Sequence, residues 1–262
     1  VIKYTDPIKA ADSLIITKYI IESVAESYKL HATFMPKPFA HYNGSGMHIH
    51  MSLFNVASGR NAFYDPLKDD GFSVIGKQFI AGNLNRLKEG NLLLNSSVNS
   101  FKRLVPGYEA PVYLCWGKKN RSAAIRIPDI TQRSLEDSHG APMRVEFRIT
   151  DGSCNPYLAF ATLIEAGMSG IENQEMVPDS VEQNLYHYSE DEIEQLGITT
   201  IATSLGEAID EYRDSTFIQK LLGDSLHKKI LDIHEHEWNS YTKNEIHNPF
   251  VITEWEKKYH AL

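Results

Sequence analysis

Apolar and polar positions alternate most cleanly in MHIHMSLF, residues 47–54. Met47, Ile49, Met51 and Leu53 fall on one parity, and His48, His50 and Ser52 on the other. A period of two predicts a strand with one buried face, and the loop HYNGSG just before it marks where the strand begins. The alternation returns in SAAIRIP, where Ser122, Ala124 and Arg126 oppose Ala123, Ile125 and Ile127. It returns again in MRVEFRI, where Arg144, Glu146 and Arg148 oppose Val145, Phe147 and Ile149. YLCWG reads as a further short strand. HATFMPKPF reads as another, which Pro36 and Pro38 must end or confine to an edge.

Helical spacing dominates elsewhere. Residues 7–28 carry an apolar stripe through Leu14, Ile15, Tyr19, Val24 and Tyr28, with Asp6 as cap and Pro7 in the first turn. In GFSVIGKQFIAGNLNRLKEG, Phe72, Ile75, Phe79, Ile80 and Leu84 share a face and Gly90 is the expected stop. NPYLAFATLIEAGMSGIENQ predicts a mostly buried helix capped by Asn155, with Pro156 first. LLLNSSVNSFKRLVPGYEAPVY reads as a helix end and a long loop, and the last third of the chain is largely helical and charged. No useful internal repeat or low-complexity linker divides the chain. The expected architecture is α+β, an antiparallel sheet with helices on one side.

Composition narrows the function. The 262 residues, 42% of them hydrophobic, suffice for a substantial core. A formal net charge of -8 argues against a duplex nucleic-acid partner but leaves room for a local cationic cluster that takes a small anion. Two cysteines, Cys115 and Cys154, make no disulfide framework and point to a reducing, cytoplasmic setting. No apolar run is long enough to cross a bilayer, so no membrane partner is expected. The opening VIKYTDPIKAAD has neither an initiator methionine nor a signal pattern and reads like the middle of a longer protein.

A strand face bearing His, Glu and several Arg is not a dry core, because unpaired buried charge is too costly. The plain alternative is a solvated face with scattered ion pairs. Repetition over three strands beside glycine- or proline-rich turns favours an anionic substrate site. Imidazole and carboxylate suit a divalent ion, arginines offer planar forks to phosphate or carboxylate, and the combination points to phosphoryl transfer. Spacing and face pick out His48 and Glu146 as metal ligands. Lys102, Arg103 and Glu109 fall in the expected loop with Pro106 and Gly107, and Arg121 in GKKNRSAAIR. GKKN lacks the glycine pattern of a phosphate-binding loop. In DIHEHEW the histidines are two apart, which predicts a solvated helix face. Trp116, Trp238 and Trp255 are read as packing anchors and Cys115 as a small core residue.

Several longer motifs together, ATFMPKP, NGSGMHIHMSL, KRLVPGYEAP, NRSAAIRIP and NPYLAFA, resemble the catalytic domain of type I glutamine synthetase. The similarity runs almost end to end, through NLYHYSE to EWEKKYHAL. It implies a curved antiparallel sheet packed on helices, and it makes residues 1–262 a partial catalytic domain. A small N-terminal β-grasp domain and the first catalytic-domain strands would be absent. The family ligates ammonia to L-glutamate with ATP through γ-glutamyl phosphate, using Mg2+ or Mn2+. Residue by residue, the resemblance assigns His48 and Glu146 to the metal near the nucleotide phosphates. It assigns His50, Ser52, Arg126 and Arg144 to the nucleotide, and Asn43, Gly44 and Arg103 to glutamate. Glu109 matches a flap residue that shields the intermediate and accepts an ammonium proton. Arg121 and Arg148 match contacts to the transferring phosphoryl group, Arg148 also to glutamate.

The resemblance also matches Tyr186 to a tyrosine that some bacterial members modify with AMP. Two departures stand out. Ala141, Pro142 and Met143 replace residues that are basic in many members, with His139 nearby. The carboxylates of the family's other metal lie upstream of this region, so the chain by itself is expected to be inactive. A full-length parent is expected as a homo-oligomer of twelve subunits. A glutamate–polyamine ligase and a noncatalytic scaffold of the same fold are the alternatives.

Overall fold

The computed structural model describes residues 2–105, 110–129 and 143–259. Helix α1 (Pro7–Ser27) leads to strand β1 (Ile49–Met51), then to helices α2 (Val74–Leu94) and α3 (Val98–Arg103). Strands β2 (Tyr113–Lys118), β3 (Ala123–Ile127) and β4 (Val145–Phe147) follow, and then α4 (Pro156–Glu172). The final third holds α5 (Glu190–Gln195), α6 (Leu205–Arg213), α7 (Thr216–Leu222), α8 (Asp224–Asn244) and α9 (Glu254–Tyr259). The fold is α+β, as the pattern predicted.

The sheet order is β1-β4-β3-β2. β4 is antiparallel to both neighbours, which puts His50 and Arg126 opposite Glu146 on either side. β2, however, runs parallel to β3, so the sheet is mixed and not wholly antiparallel. The connection through residues 119–122 is short for a parallel pair. Lys119 takes a left-handed conformation, φ 63°. The Asn120 amide donates to the carbonyls of Val181 (2.7 Å) and Gln183 (2.9 Å), while its oxygen accepts from the Ser122 amide at 2.8 Å. These bonds replace ladder bonds the turn cannot make.

One sheet face is apolar. Ile49, Ile125, Val145 and Phe147 are buried there, and the Phe79 ring on α2 packs against Phe147 and Phe63. Helix α2 crosses α4 at backbone contact. A β-carbon on Gly82 would lie 2.2 Å from the Ala166 carbonyl, and one on Gly170 would lie 2.2 Å from the Gln78 carbonyl. Gly90 does not stop α2, which runs on to Leu94; it faces Thr162 instead, so the residue serves packing and not capping. The caps of α1 and α4 form as read: Asp6 accepts from the Lys9 amide, and Asn155 from those of Tyr157 and Leu158.

Three other expectations are corrected. Residues 31–39 form no strand, because the backbone N–H and C=O of Lys37 pair with the side chain of Asn99 and not with a neighbouring strand. The apolar stripe of α1 is not buried among the described residues: Ile15, Tyr19, Val24 and Tyr28 are exposed, and Ala11 is the helix's buried residue. Lys102 and Arg103 lie in the last turn of α3 and not in a loop, and both are buried.

Candidate functional site

The three polar strand faces meet at Glu146, which is 1% exposed. Alternation brings the cationic side chains to the same surface of the sheet, and the register brings them to the same level. Arg126 donates to Glu146 Oε2 through Nε at 2.6 Å and Nη2 at 2.5 Å. Arg148 Nη1 donates to Oε1 at 2.8 Å, and His48 Nδ1 lies 3.1 Å from that oxygen. Arg144 Nε donates to His50 Nδ1 at 3.2 Å at the outer edge of the group. Burial alone would raise the Glu146 carboxyl, but the His48 hydrogen bond and the guanidinium groups of Arg148 and Arg126 outweigh it and hold it at about 2. The His50 pKa is lowered too, which for an imidazole favours the neutral form. Burial depresses its protonation, with Arg144, His48 and Arg126 adding to the effect against the opposing charge of Glu146.

Arg103 sits beside this cluster, 4% exposed. Its Nη1 donates to the Ile149 carbonyl at 2.7 Å and its Nη2 to that of Arg148 at 3.0 Å, so it grips the chain just beyond β4. The glycine loop covers it. A β-carbon on Gly44 would stand 2.8 Å from Arg103 Cγ, and one on Gly46 would stand 2.5 Å from Nη2. Only glycine lets the loop lie this close to the guanidinium. Asn43 at the loop's start is exposed, and Ser52 beyond β1 is half-buried. The Arg121 side chain is exposed, and its backbone carbonyl accepts from the Tyr186 hydroxyl at 3.3 Å. Glu109, His139, Ala141 and Pro142 lie outside the described residues.

Positive charge exceeds negative here. Among the described residues, the buried Nε of Arg148 has no hydrogen-bond acceptor. An unanswered guanidinium N–H beside further arginines favours an anionic oxygen over a cation at this face. A resident divalent cation fits less well. His48 and Glu146 are a pair of donors only, both Glu146 oxygens already accept from arginines, and no cluster of three His, Cys, Asp or Glu side chains forms among the described residues. Among the described residues these two donors alone do not complete a metal site.

Two acidic residues escaped the sequence pattern. Asp151 is 0% exposed, accepts from the Ser153 amide at 2.8 Å, and faces Arg103 electrostatically. The strand alternation stops before it, although DGS after a strand is a turn signal that flags a side chain bonded to its own backbone. Glu237, expected on a solvated helix face, is 3% exposed and accepts from the Val98 amide at 2.9 Å, capping α3. Cys115 is buried as read, and burial pushes its thiol up to about 12. A cavity of about 860 Å³ between α1, residues 30–36 and α8 holds none of the Glu146 cluster.

A family model described as "Glutamine synthetase, catalytic domain" matches residues 1–253. The chain belongs to the glutamine synthetase catalytic-domain family. Among curated relatives, the glutamine synthetase of Methanocaldococcus jannaschii is 41% identical over 255 residues, covering 97% of this chain and 52% of that protein. The glutamine synthetase of Clostridium saccharobutylicum is 42% identical over 246 residues, covering 94% and 53%. The solved structure titled "Apo GmaS without ligand" superposes with a TM-score of 0.79 at 31% identity, over 98% of this chain and 54% of that one. The chain thus spans about half the length of the relatives it matches. Membership in the glutamine synthetase family supports a ligase-type catalytic domain; the members it matches include proteins named glutamine synthetase and structures titled GmaS alike. Among the described residues, no helix is long and apolar enough to cross a membrane.

Proposed function

We propose that the parent of this chain ligates ammonia to L-glutamate, with ATP converted to ADP and phosphate through γ-glutamyl phosphate. The observation that carries this is the pair of guanidinium groups, Arg126 and Arg148, gripping Glu146, with one buried N–H of Arg148 lacking an acceptor among the described residues. Such a surface suits a transferring phosphoryl group and a carboxylate side by side, because the reaction concentrates negative charge on both. One of the matching structures is titled as a GmaS/ADP complex, which supports a nucleotide on this fold.

In this reading Arg103, Asn43 and Gly44 receive glutamate, and His50, Ser52, Arg126 and Arg144 the nucleotide. Arg121 and Arg148 attend the moving phosphoryl group, and Glu109 takes the ammonium proton. His48 and Glu146 each offer one donor to Mg2+ or Mn2+ in the parent. Tyr186 remains a candidate for modification.

An assay of the full-length parent tests the reading. With glutamate and MgATP or MnATP, ammonium is expected to drive phosphate release with a kcat/KM at least about 10-fold above methylamine or putrescine. Glutamine synthetases and GmaS structures match the chain alike, so the acceptor is the variable to scan. A preference for an organic amine overturns ammonia as acceptor and keeps the ligase. No detectable MgATP binding by calorimetry overturns the ligase in favour of a scaffold.

A further inference from the structure

Helix α3 is six residues long, too short to hold its own orientation. A Ser97–Ser100 capping box starts it, and several of its other side chains reach into distant parts of the chain. Lys102 is wholly buried, and its ammonium donates to the Tyr241 hydroxyl (3.1 Å) and to the carbonyls of Asn248 (2.5 Å) and Val251 (3.0 Å), with Glu256 Oε2 at 3.7 Å. The next residue, Arg103, reaches instead to the carbonyls after β4. The last turn of α3 is therefore pinned between the C-terminal segment and the site. A buried ammonium is costly unless it is paired and hydrogen-bonded, and here three acceptors and the Glu256 carboxylate fix its position closely.

A second route links the same segment to the same arginine. Glu256 Oε1 accepts from Asn99 Nδ2 at 2.9 Å. Asn99 also holds both backbone groups of Lys37, at 2.7 Å and 3.0 Å. The Pro36 carbonyl, one residue back, accepts from the Ser45 amide at 2.7 Å in the middle of the glycine loop over Arg103. Both routes begin at Glu256 and end at Arg103.

We propose that Lys102, Asn99 and Glu256 are positioning residues, which set Arg103 and its glycine loop in place for the carboxylate of the amino-acid substrate. The proposal rests on the ligase reading above and adds the residues that tune its amino-acid subsite. A shift of about 1 Å at an arginine tip is enough to cost a carboxylate contact tenfold or more. The nucleotide side, held by β1, β3 and β4, does not share these anchors.

The test uses the full-length parent with Lys102→Met, Lys102→Arg and Glu256→Gln, titrated calorimetrically with MgATP and then with L-glutamate at saturating nucleotide. Hydrogen exchange over residues 35–46 is followed in parallel. Lys102→Met and Glu256→Gln are expected to weaken glutamate by about 10-fold or more, with MgATP affected less than about twofold. Lys102→Arg recovers part of the loss. Exchange at the Lys37 and Ser45 amides rises while that of α2 does not. Equal loss of both ligands, or exchange that rises uniformly, overturns the proposal by making the cluster merely structural. If Lys102→Met does not fold, Glu256→Gln decides alone. If the wild-type parent binds no glutamate, the ligase reading fails, and unchanged Lys37 and Ser45 protection in Glu256→Gln then overturns the positioning claim as well.

Discussion

Replacing Glu146 with glutamine lowers stability by about 3 kcal/mol and the thermal midpoint by roughly 10 °C. The neutral amide keeps the shape but leaves Arg126 and Arg148 facing one another with nothing to separate their charges. The size of the loss follows from the carboxyl itself. It titrates at about 2 in the folded chain against an ordinary 4.5, a difference that corresponds to about 3 kcal/mol. The sign is fixed by the direction of the shift. A depressed carboxyl stabilises the fold fully above its unfolded value, and that stability drains away as pH falls from about 4.5 towards 2. Denaturant melts in metal-free buffer at stepped pH check both statements. The gap between wild type and Glu146→Gln should be full at pH 7 and close as pH approaches 2. A gap that stays constant across that range sinks the argument. In a parent active as proposed, the same substitution lowers kcat by about 10²-fold or more.

Gly82→Ala is expected to cost about 3 kcal/mol, the upper part of what overpacking usually costs. The added methyl would meet the Ala166 carbonyl at 2.2 Å and the Gly170 backbone at 2.7 Å. Backbone cannot rotate aside as a side chain can, so α2 and α4 must separate along their whole crossing. Gly90→Ala supplies the contrast on the same helix. Its methyl would meet only the Thr162 methyl, at 2.8 Å. That neighbour is one side-chain methyl and not backbone, although Thr162 is buried and its hydroxyl is bonded to the Leu158 carbonyl. Alanine also recovers about 1 kcal/mol of helix propensity over glycine. Gly90→Ala is therefore expected to cost clearly less than Gly82→Ala. Thermal melts of the two variants decide it, and equal losses would show that the close approach of α2 and α4 carries no special weight.

The site was legible where chemistry and local periodicity coincide. His48, Arg126, Glu146 and Arg148 declare their face through a two-residue period, and the structure brings them within 3.1 Å of one carboxylate or the other partner of a pair. The caps of α1 and α4 were legible for the same reason: one side chain bonding its own neighbourhood. What was hidden depends on distant partners. NSFKR has no apolar stripe; a local Ser97–Ser100 capping box starts α3, but Glu237, Glu256 and Ser153 satisfy its further polar groups from afar. The parallel pairing of β2 with β3 rests on Asn120 reaching residues 181 and 183. Residues 31–39 look like a strand until the side chain of Asn99 takes the hydrogen bonds a partner strand would have taken. Asp151 and Glu237 are not legible in the sequence, because a buried carboxylate announces itself only through the donors that surround it.

Helices α1 and α2 are of equal length, 21 residues each, but they stand in very different relation to the rest of the molecule. α2 runs through the interior, whereas α1 buries Ala11 alone and is tied down by Lys18 to the Gly152 carbonyl and by Asp12 to the Tyr157 hydroxyl. A segment that draws so little from the interior is expected to open as a separate foldon below the global unfolding free energy, which hydrogen exchange over residues 7–27 would show. Gly152 follows Asp151 directly, so each such excursion of α1 releases one end of the turn that faces Arg103. A thinly anchored helix and the most deeply seated arginine of the site are thus joined through two adjacent residues, Asp151 and Gly152.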